Sequence, residues 1–396
     1  MKLATDSTRP RCHWADWIVI ATFMFLLWAP TLDSFFKLDY SRQPGENRIP
    51  AQLPEWHPDK SGEAQKYITG LENYFSDHFG FRKKLIRWFQ NWKISLFHDR
   101  SVYNVITGRD GWLFTSDLKM VEHYLGMTRF ATAELKSWQT LLEKRRDWLA
   151  ARGIKYLFVI PPDKQTIYPE KLPVWLANAV PANRETKLDQ FLQYMKAHST
   201  VEILDLRQPL AVAKKVAPTY LQNDTHWNFF GGFVACQEVI KILAHQFPDL
   251  PPLRLEDFNW TNTPATGGDL VRMIGSDAIE KNNFAFTPRP GLPSPNIYDA
   301  TNIVSFWDAH KLSRISENPK HIKRTAVIFH DSFGNAWQQF LGYSFKKIVF
   351  MSENREFNPT VIMENQPDIV ISEMLERYFN TQGPLELLAH DRLPSG

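Results

Sequence analysis

An α/β architecture, a parallel sheet flanked by helices and preceded by one membrane-crossing helix, is the fold class this sequence predicts. Three observations predict it. Short uninterrupted apolar runs, such as Ile154–Ile160 and Ala326–Phe329, alternate with longer segments whose apolar residues recur at helical spacing, the pattern of strands buried on both faces and helices covering them. An uncharged apolar run, Trp17–Leu32, follows a leader containing Lys2, Arg9 and Arg11. The Ala326–Phe329 run ends abruptly in His330-Asp331-Ser332 before Gly334, delivering a serine where a buried strand meets a following helix, the place α/β sheets put reactive groups.

Composition sets the outer bounds. At 396 residues, 43% hydrophobic, the chain is long enough for one large or two ordinary domains with a real core. A net charge of +3 with acids and bases interspersed gives no basis for a nucleic-acid partner. Aromatics at 14% suit a sugar-stacking surface, but a plain core absorbs them as readily. Cys12 and Cys236 form neither a disulfide framework nor a zinc pattern, and no cofactor motif is present.

Taken in order, residues 1–16 read as a cytoplasmic leader and 17–36 as a transmembrane signal anchor. The Trp17–Leu32 run is near the lower limit of about 17–25 residues for a spanning helix, and the basic leader places everything beyond it across the membrane. A cleaved signal peptide would need small residues at an A-x-A-like site; Trp28-Ala-Pro-Thr-Leu-Asp-Ser-Phe-Phe offers no clear one. Residues 37–63, rich in Pro, Gly and polar side chains, read as a linker. Apolar residues from Tyr67 to Phe89 predict two amphipathic helices broken at Gly80. Gly108-Arg-Asp-Gly-Trp-Leu-Phe predicts a tight turn feeding a short strand, and Thr132 is positioned to cap a helix whose apolar face is Leu135, Trp138, Leu141, Leu142 and Leu149. The Ile154–Ile160 strand ends in Pro161-Pro162-Asp163-Lys164. A helix carrying Leu188, Phe191 and Met195 follows, then a strand at Val201–Leu206, completing a parallel βαβ alternation. Asn223-Asp224-Thr225-His226-Trp227-Asn228 then precedes an apolar helix. Pro248–Pro319 lacks periodicity and reads as long surface loops, and strands resume at Thr325–Phe329, Ile348–Met351 and Asp368–Ser372.

A serine hydroxyl becomes a nucleophile only when a base takes its proton, and an imidazole does this best when a carboxylate holds its tautomer and its cation. Asp224 and His226 supply both partners two residues apart. Brought to the end of the Thr325 strand, they would complete a Ser332–His226–Asp224 triad. Two rivals stand beside this reading. Asp and His are also metal ligands, but no third ligand stands at motif spacing, so no metal is assigned. His330 could serve as the base, although it has no orienting carboxylate of its own.

Gly108-Arg-Asp-Gly-Trp-Leu-Phe, Pro161-Pro-Asp-Lys-Gln-Thr-Ile-Tyr-Pro-Glu-Lys-Leu-Pro, Asp224-Thr-His-Trp-Asn, Gly268-Asp-Leu, His330-Asp-Ser-Phe-Gly and Glu373-Met-Leu-Glu-Arg-Tyr together resemble the alginate O-acetyltransferases with an SGNH-hydrolase-like domain, of AlgX/AlgJ type. The resemblance covers roughly residues 65–385. It implies an SGNH-hydrolase-like (flavodoxin-like) three-layer αβα sandwich over residues 64–396, with the triad order permuted relative to ordinary SGNH esterases. It implies Ser332 as nucleophile, with Asp224 and His226 as its Asp-x-His pair. It also implies acetyl transfer onto hydroxyls of an exported polysaccharide. The acetyl donor would come from a membrane-bound O-acyltransferase, and the catalytic domain would face the periplasm from a single-pass anchor in the bacterial inner membrane. His330 stands where SGNH esterases usually have Gly, which leaves its role open. Some members carry a C-terminal carbohydrate-binding module; this chain ends soon after Tyr378, so polymer grip would fall to the catalytic domain or a partner.

Within that reading, the oxyanion of acyl transfer needs aimed donors. The backbone N–H of Ser332 or Phe333 is one candidate, and Gly268 of the Gly-Gly-Asp turn another. Trp227 and His330 are the substrate-binding candidates, with plain packing the alternative for Trp227. The same triad would serve a polysaccharide acetyl-esterase or deacetylase with water as acceptor, and a third reading is a non-catalytic scaffold of a secretion complex.

Overall fold

The structure is a computed structural model and describes residues 14–36, 51–56, 63–81, 84–85, 101–102, 104–274, 278–304, 312–320, 323–352 and 357–391. Residues 1–13 of the expected leader, most of the linker, Cys12, and Ile86 and Phe89 of the second amphipathic helix lie outside these residues. The chain divides into two units, one formed by residues 1–99 with 272–275 and the other by the remainder.

In the first unit, helix α1 runs Trp14–Phe36. Its segment Trp14–Asp33 is, among the described residues, the one helix long and apolar enough to cross a membrane. Helix α2, Glu63–Asp77, follows.

The second unit is built on a seven-stranded sheet. Its strands in chain order are β1 (Lys155–Ile160), β2 (Ile203–Asp205), β3 (Asn296–Val304), β4 (Leu312–Glu317), β5 (Thr325–His330), β6 (Lys347–Ser352) and β7 (Ile369–Glu373). Across the sheet they lie β3-β4-β6-β5-β7-β1-β2. The five strands from β6 to β2 are parallel, as the apolar runs predict. β3 and β4 extend the sheet in antiparallel pairing.

Alternation along each parallel strand divides its side chains between two cores. Leu157, Val159, Ala326, Ile328, Ile348, Phe350, Ile369 and Ile371 join one cluster with Phe230, Phe233, Val239, Ile240 and Leu243 of helix α5 (Phe229–Gln246). Phe158, Ile160, Val327, Phe329, Val349, Met351 and Val370 join the other. There they meet Trp138, Leu141, Leu142 and Leu149 of helix α3 (Thr132–Ala150), and Leu188, Phe191 and Met195 of helix α4 (Lys187–His198). Both sheet faces are therefore dry, and the result is a three-layer αβα sandwich.

Three local expectations differ. Thr132 is the first helical residue rather than the cap; the Glu134 carboxylate instead reaches back to accept the Ala131 N–H at 2.8 Å. Residues 248–319 are not simply loops: they hold β3, β4 and an antiparallel pair, Phe258–Asn262 with Phe284–Pro288. Phe258–Asn262 and Phe284–Pro288 alternate buried and exposed residues, so they lack the apolar runs that mark buried parallel strands. The segment opened by Ser332 is a 3₁₀ helix, Ser332–Gln339, not an α-helix.

Candidate active site

The carboxyl edge of the parallel strands gathers the turn after β1 (161–164), the turn after β5 (331–332) and the segment after β7 (374–377). At the end of β5 the Asp331 carboxylate accepts the Phe333 N–H at 2.9 Å and the Leu375 N–H at 3.1 Å, while its own N–H goes to Glu373 at 2.8 Å. Side-chain capping of this kind turns the chain sharply and leaves the half-buried Ser332 at the strand end.

The Asp-x-His loop supplies what faces it. His226 Nε2 lies 2.8 Å from Ser332 Oγ, across 106 residues of sequence, and His226 Nδ1 lies 2.6 Å from Asp224 Oδ1. A carboxylate only accepts, so the ring proton sits on Nδ1 and Nε2 is left as the acceptor for the serine hydroxyl. Every residue of the loop is tied down. Thr225 is bonded through its N–H and hydroxyl to Asp269. The Trp227 indole N–H donates to the Phe333 carbonyl at 3.0 Å. Asn228 caps α5 by accepting the Gly231 N–H at 2.9 Å. Asp224 Oδ2 accepts the Asp269 N–H at 2.8 Å, so both its oxygens are committed and the carboxylate cannot rotate away from the ring.

Residues 105–288 match the family model of an SGNH hydrolase-like domain, acetyltransferase AlgX. The match contains Asp224 and His226, while Ser332 lies beyond it and is brought to them by the sheet. The "Probable alginate O-acetylase AlgJ" of Pseudomonas syringae pv. tomato is 26% identical over 183 residues, 46% of this chain and 44% of that protein. The chain thus spans less than half the length of the curated relatives it matches. Among solved structures, Bacillus cereus PatB1 superposes with a TM-score of 0.52 at 17% identity, covering 71% of this chain and 98% of that one. A DHHW family protein from Eubacterium siraeum superposes at 0.50 with 15% identity, covering 74% and 99%. The two superpositions show that the α/β fold is shared with these solved structures.

Electrostatics in the site follow from the pairing. Burial alone would push the His226 pKa down, but the hydrogen bond and charge of Asp224, with Asp269 adding to them, raise it above the ordinary value of 6.5. Burial would raise Asp224, and the His226 hydrogen bond and charge overcome it and hold the carboxyl well below the usual carboxylate range. Asp269 is shifted upward by burial and by the neighbouring Asp224 charge. Asp224, His226 and Asp269 place ligand-type atoms within 4.8 Å of one another. Their facing atoms are engaged with one another and with Thr225, which makes this a hydrogen-bonded pair with a supporting acid more than an open metal site.

Several expected roles meet a different geometry. The Phe333 N–H is already donated to Asp331, so it is not an open oxyanion donor. Gly268, at φ +128, packs its backbone against the Asn223 carbonyl and precedes the N–H that holds Asp224; it supports the carboxylate side of the site. Trp227 is 3% exposed and packs edge-to-face against Phe333 and at a tilt against Trp337, where no sugar can reach its face. His330 is fully buried. Its Nδ1–H donates to the Asp331 carbonyl at 2.6 Å and its Nε2 faces the Ser352 hydroxyl at 3.4 Å. It is neither a substrate contact nor an alternative base; it braces the turn that presents Ser332.

The bracing explains a nearby glycine. A Cβ on Gly334 would come within 2.4 Å of His330 Cγ and 2.5 Å of His330 Cβ, atoms that cannot swing aside. Gly334→Ala is therefore expected to cost about 1–3 kcal/mol through overpacking and to lower activity with it, read as a drop in denaturation midpoint; an unchanged midpoint would remove His330 from this role.

Sequence reasoning passed over two residues. Asp269 was visible only as part of Gly-Asp-Leu. Lys164 ends the Pro-Pro-Asp-Lys run and is 2% exposed. Its burial lowers its pKa to about 7 against the opposing pull of Asp269 and Asp224. The available signal was a lysine placed four residues after a largely buried strand.

Proposed function

We propose that this chain is a serine O-acetyltransferase that acetylates hydroxyls of an exported polysaccharide, with Ser332 as nucleophile, His226 as base and Asp224 as orienter. The observation that carries the reading is the hydrogen-bonded line Ser332–His226–Asp224, at 2.8 Å and 2.6 Å. Full equipment for acyl transfer argues against a purely structural role. Similarity to the alginate O-acetylases supports acetyl as the group moved and a polysaccharide as the acceptor.

His226 Nε2 takes the Ser332 proton as Oγ attacks the acetyl carbonyl of the donor. The resulting oxyanion is met by the Ser332 N–H, for which no other partner is found among the described residues. The imidazolium, stabilised by Asp224, returns the proton to the leaving group, and acetyl remains on Oγ. A sugar hydroxyl then gives its proton to the same nitrogen, attacks the acetyl-serine, and leaves as the ester while Ser332 is reprotonated. The spanning helix supports an anchored enzyme whose catalytic domain lies in the periplasm, fed by a membrane-bound O-acyltransferase.

The test is transfer against hydrolysis. Full-length protein in detergent, given a chromogenic acetyl ester and an oligosaccharide, is expected to yield acetylated sugar; acetate alone would make the protein an esterase.

Because the neutral imidazole is the base and its pKa is raised, activity is expected to fall as pH drops, with a midpoint above 6.5. Asp224→Asn removes the raising interaction, so its residual activity should show a lower midpoint and be reduced about 10³- to 10⁴-fold. An unmoved acid limb in that variant would take His226 out of the base role.

A further inference from the structure

The turn after β1 places a buried ammonium directly beneath the loop that carries Asp224. Lys164 Nζ donates to three backbone carbonyls of that loop: Leu221 at 3.1 Å, Gln222 at 3.3 Å and Asp224 at 2.6 Å. Its other side is closed by aromatic rings, with Trp112 and Phe114 centroids at 5.6 Å and 5.2 Å. Both rings come from the Gly108–Phe114 turn, which is itself bonded to the loop: the Leu113 N–H donates to Gln222 O at 3.0 Å, and the Gln222 amide donates to the Asp110 carbonyl at 2.7 Å.

The lysine's own base is equally fixed. Asp163 is paired with Arg377 at 2.6 Å, and its N–H goes to Glu376 at 2.7 Å. The Tyr220 hydroxyl, from the segment leading into the loop, donates to the Pro162 carbonyl at 2.5 Å. The charges surrounding the ammonium are Asp269, Asp224 and Glu280, with Arg377 opposing them.

Burying an ammonium costs several kcal/mol, and the Trp112 and Phe114 rings beside it would be met as well by an unbranched apolar side chain such as Met, so packing alone does not call for a charge here. A point charge with three donors is suited to one task at this position, gathering converging carbonyls into a single backbone conformation.

We propose that Lys164 is a positioning residue for acyl transfer: its ammonium gathers the carbonyls of residues 221, 222 and 224 and so fixes the Asp224 carboxylate, and through it the His226 ring, against Ser332. It touches no substrate and acts only through the loop. The inference rests on Ser332, His226 and Asp224 being the catalytic residues. It gives the Gly108–Phe114 and Pro161–Lys164 motifs a shared function that the triad alone leaves unexplained.

The experiment compares the full-length protein in detergent with Lys164→Met, Lys164→Gln and Ser332→Ala. Met keeps the apolar stem against Trp112 and Phe114 and removes every donor. Gln restores two N–H donors without charge. Lys164→Met is expected to lower kcat roughly 10- to 100-fold, the scale of an ångström-level misplacement, with KM for the acetyl ester unchanged. Lys164→Gln is expected to recover part of that loss. The downfield proton resonance of His226 Nδ1–H should disappear in the Met variant and persist in the wild type. If Lys164→Met does not fold, the Gln variant carries the test, with an intermediate kcat and a weakened resonance as the supporting result. Wild-type kcat and resonance in either folded variant would overturn the proposal, as would equal losses in both variants with the resonance intact. Transfer surviving in Ser332→Ala would instead overturn the triad on which the proposal stands.

Discussion

Ser332→Ala is expected to abolish acetyl transfer, by at least about 10³-fold, while leaving the fold intact. The hydroxyl is the only group removed. The turn that presents it is held by the Asp331 carboxylate on Phe333 and Leu375 and by Glu373 on Asp331, none of which involves the Ser332 side chain. Ser332 is half-buried, so no large cavity is left. Intact wild-type protein given an acetyl ester without an acceptor should carry one acetyl group on the peptide containing Ser332, seen by mass spectrometry, and the Ala variant should carry none. His226→Ala should behave alike, because members of one proton-transfer unit are not additive. Acetyl found on another residue, or transfer surviving in Ser332→Ala, would sink the assignment.

The largest expected stability effect lies far from the chemistry. Arg145 of α3 is 2% exposed and grips Asp391 in a two-pronged pair, Nε to Oδ2 at 2.6 Å and Nη2 to Oδ1 at 2.7 Å, with the Asp391 side chain fully buried. The guanidinium also sits 5.4 Å from the Phe357 ring centroid. Asp391→Ala leaves this cation buried and unmatched and should cost about 3–5 kcal/mol, measured as a loss in chemical denaturation. Replacing both partners, Arg145→Met with Asp391→Leu, should recover most of it, because neither side then carries an orphaned charge. If the double variant is as unstable as the single one, packing rather than the ion pair is what Asp391 contributes.

The contrast between these residues shows what could be read in advance. Ser332, His226 and Asp224 carry their chemistry in residue type and in a two-residue spacing, so each could be named as a candidate from the chain alone. Arg145 and Asp391 are 246 residues apart and neither stands in a recognisable pattern; an ordinary helix arginine and a C-terminal aspartate become a buried pair only in the fold. The edge of the sheet was hidden for a different reason. Residues 248–319 hold antiparallel strands whose partly exposed faces dilute apolar content, and the signal that was there, alternation of Phe258 with Trp260 and of Phe284 with Phe286, is short. His330 and Trp227 were left open between substrate contact and packing, because polarity and aromaticity near a reactive serine fit either. Burial is a property of packing: Trp227 ties the Asp-x-His loop to the segment after Ser332, and His330 braces the turn that presents Ser332.

What the sequence by itself determined is the local part: five strands apolar on both faces, the helices between them, an apolar segment able to span a membrane, and an Asp-x-His pair whose geometry needs only one intervening residue. These follow from interactions along a few residues, which periodicity and residue type record directly. Only the tertiary structure decided that His226 meets Ser332 across 106 residues. The same is true of Lys164 lying beneath the Asp224 loop and of the Phe333 N–H being spent on Asp331. Those contacts depend on strand order in the sheet, which is set by long-range packing of one face against another and leaves no spacing in the chain to read.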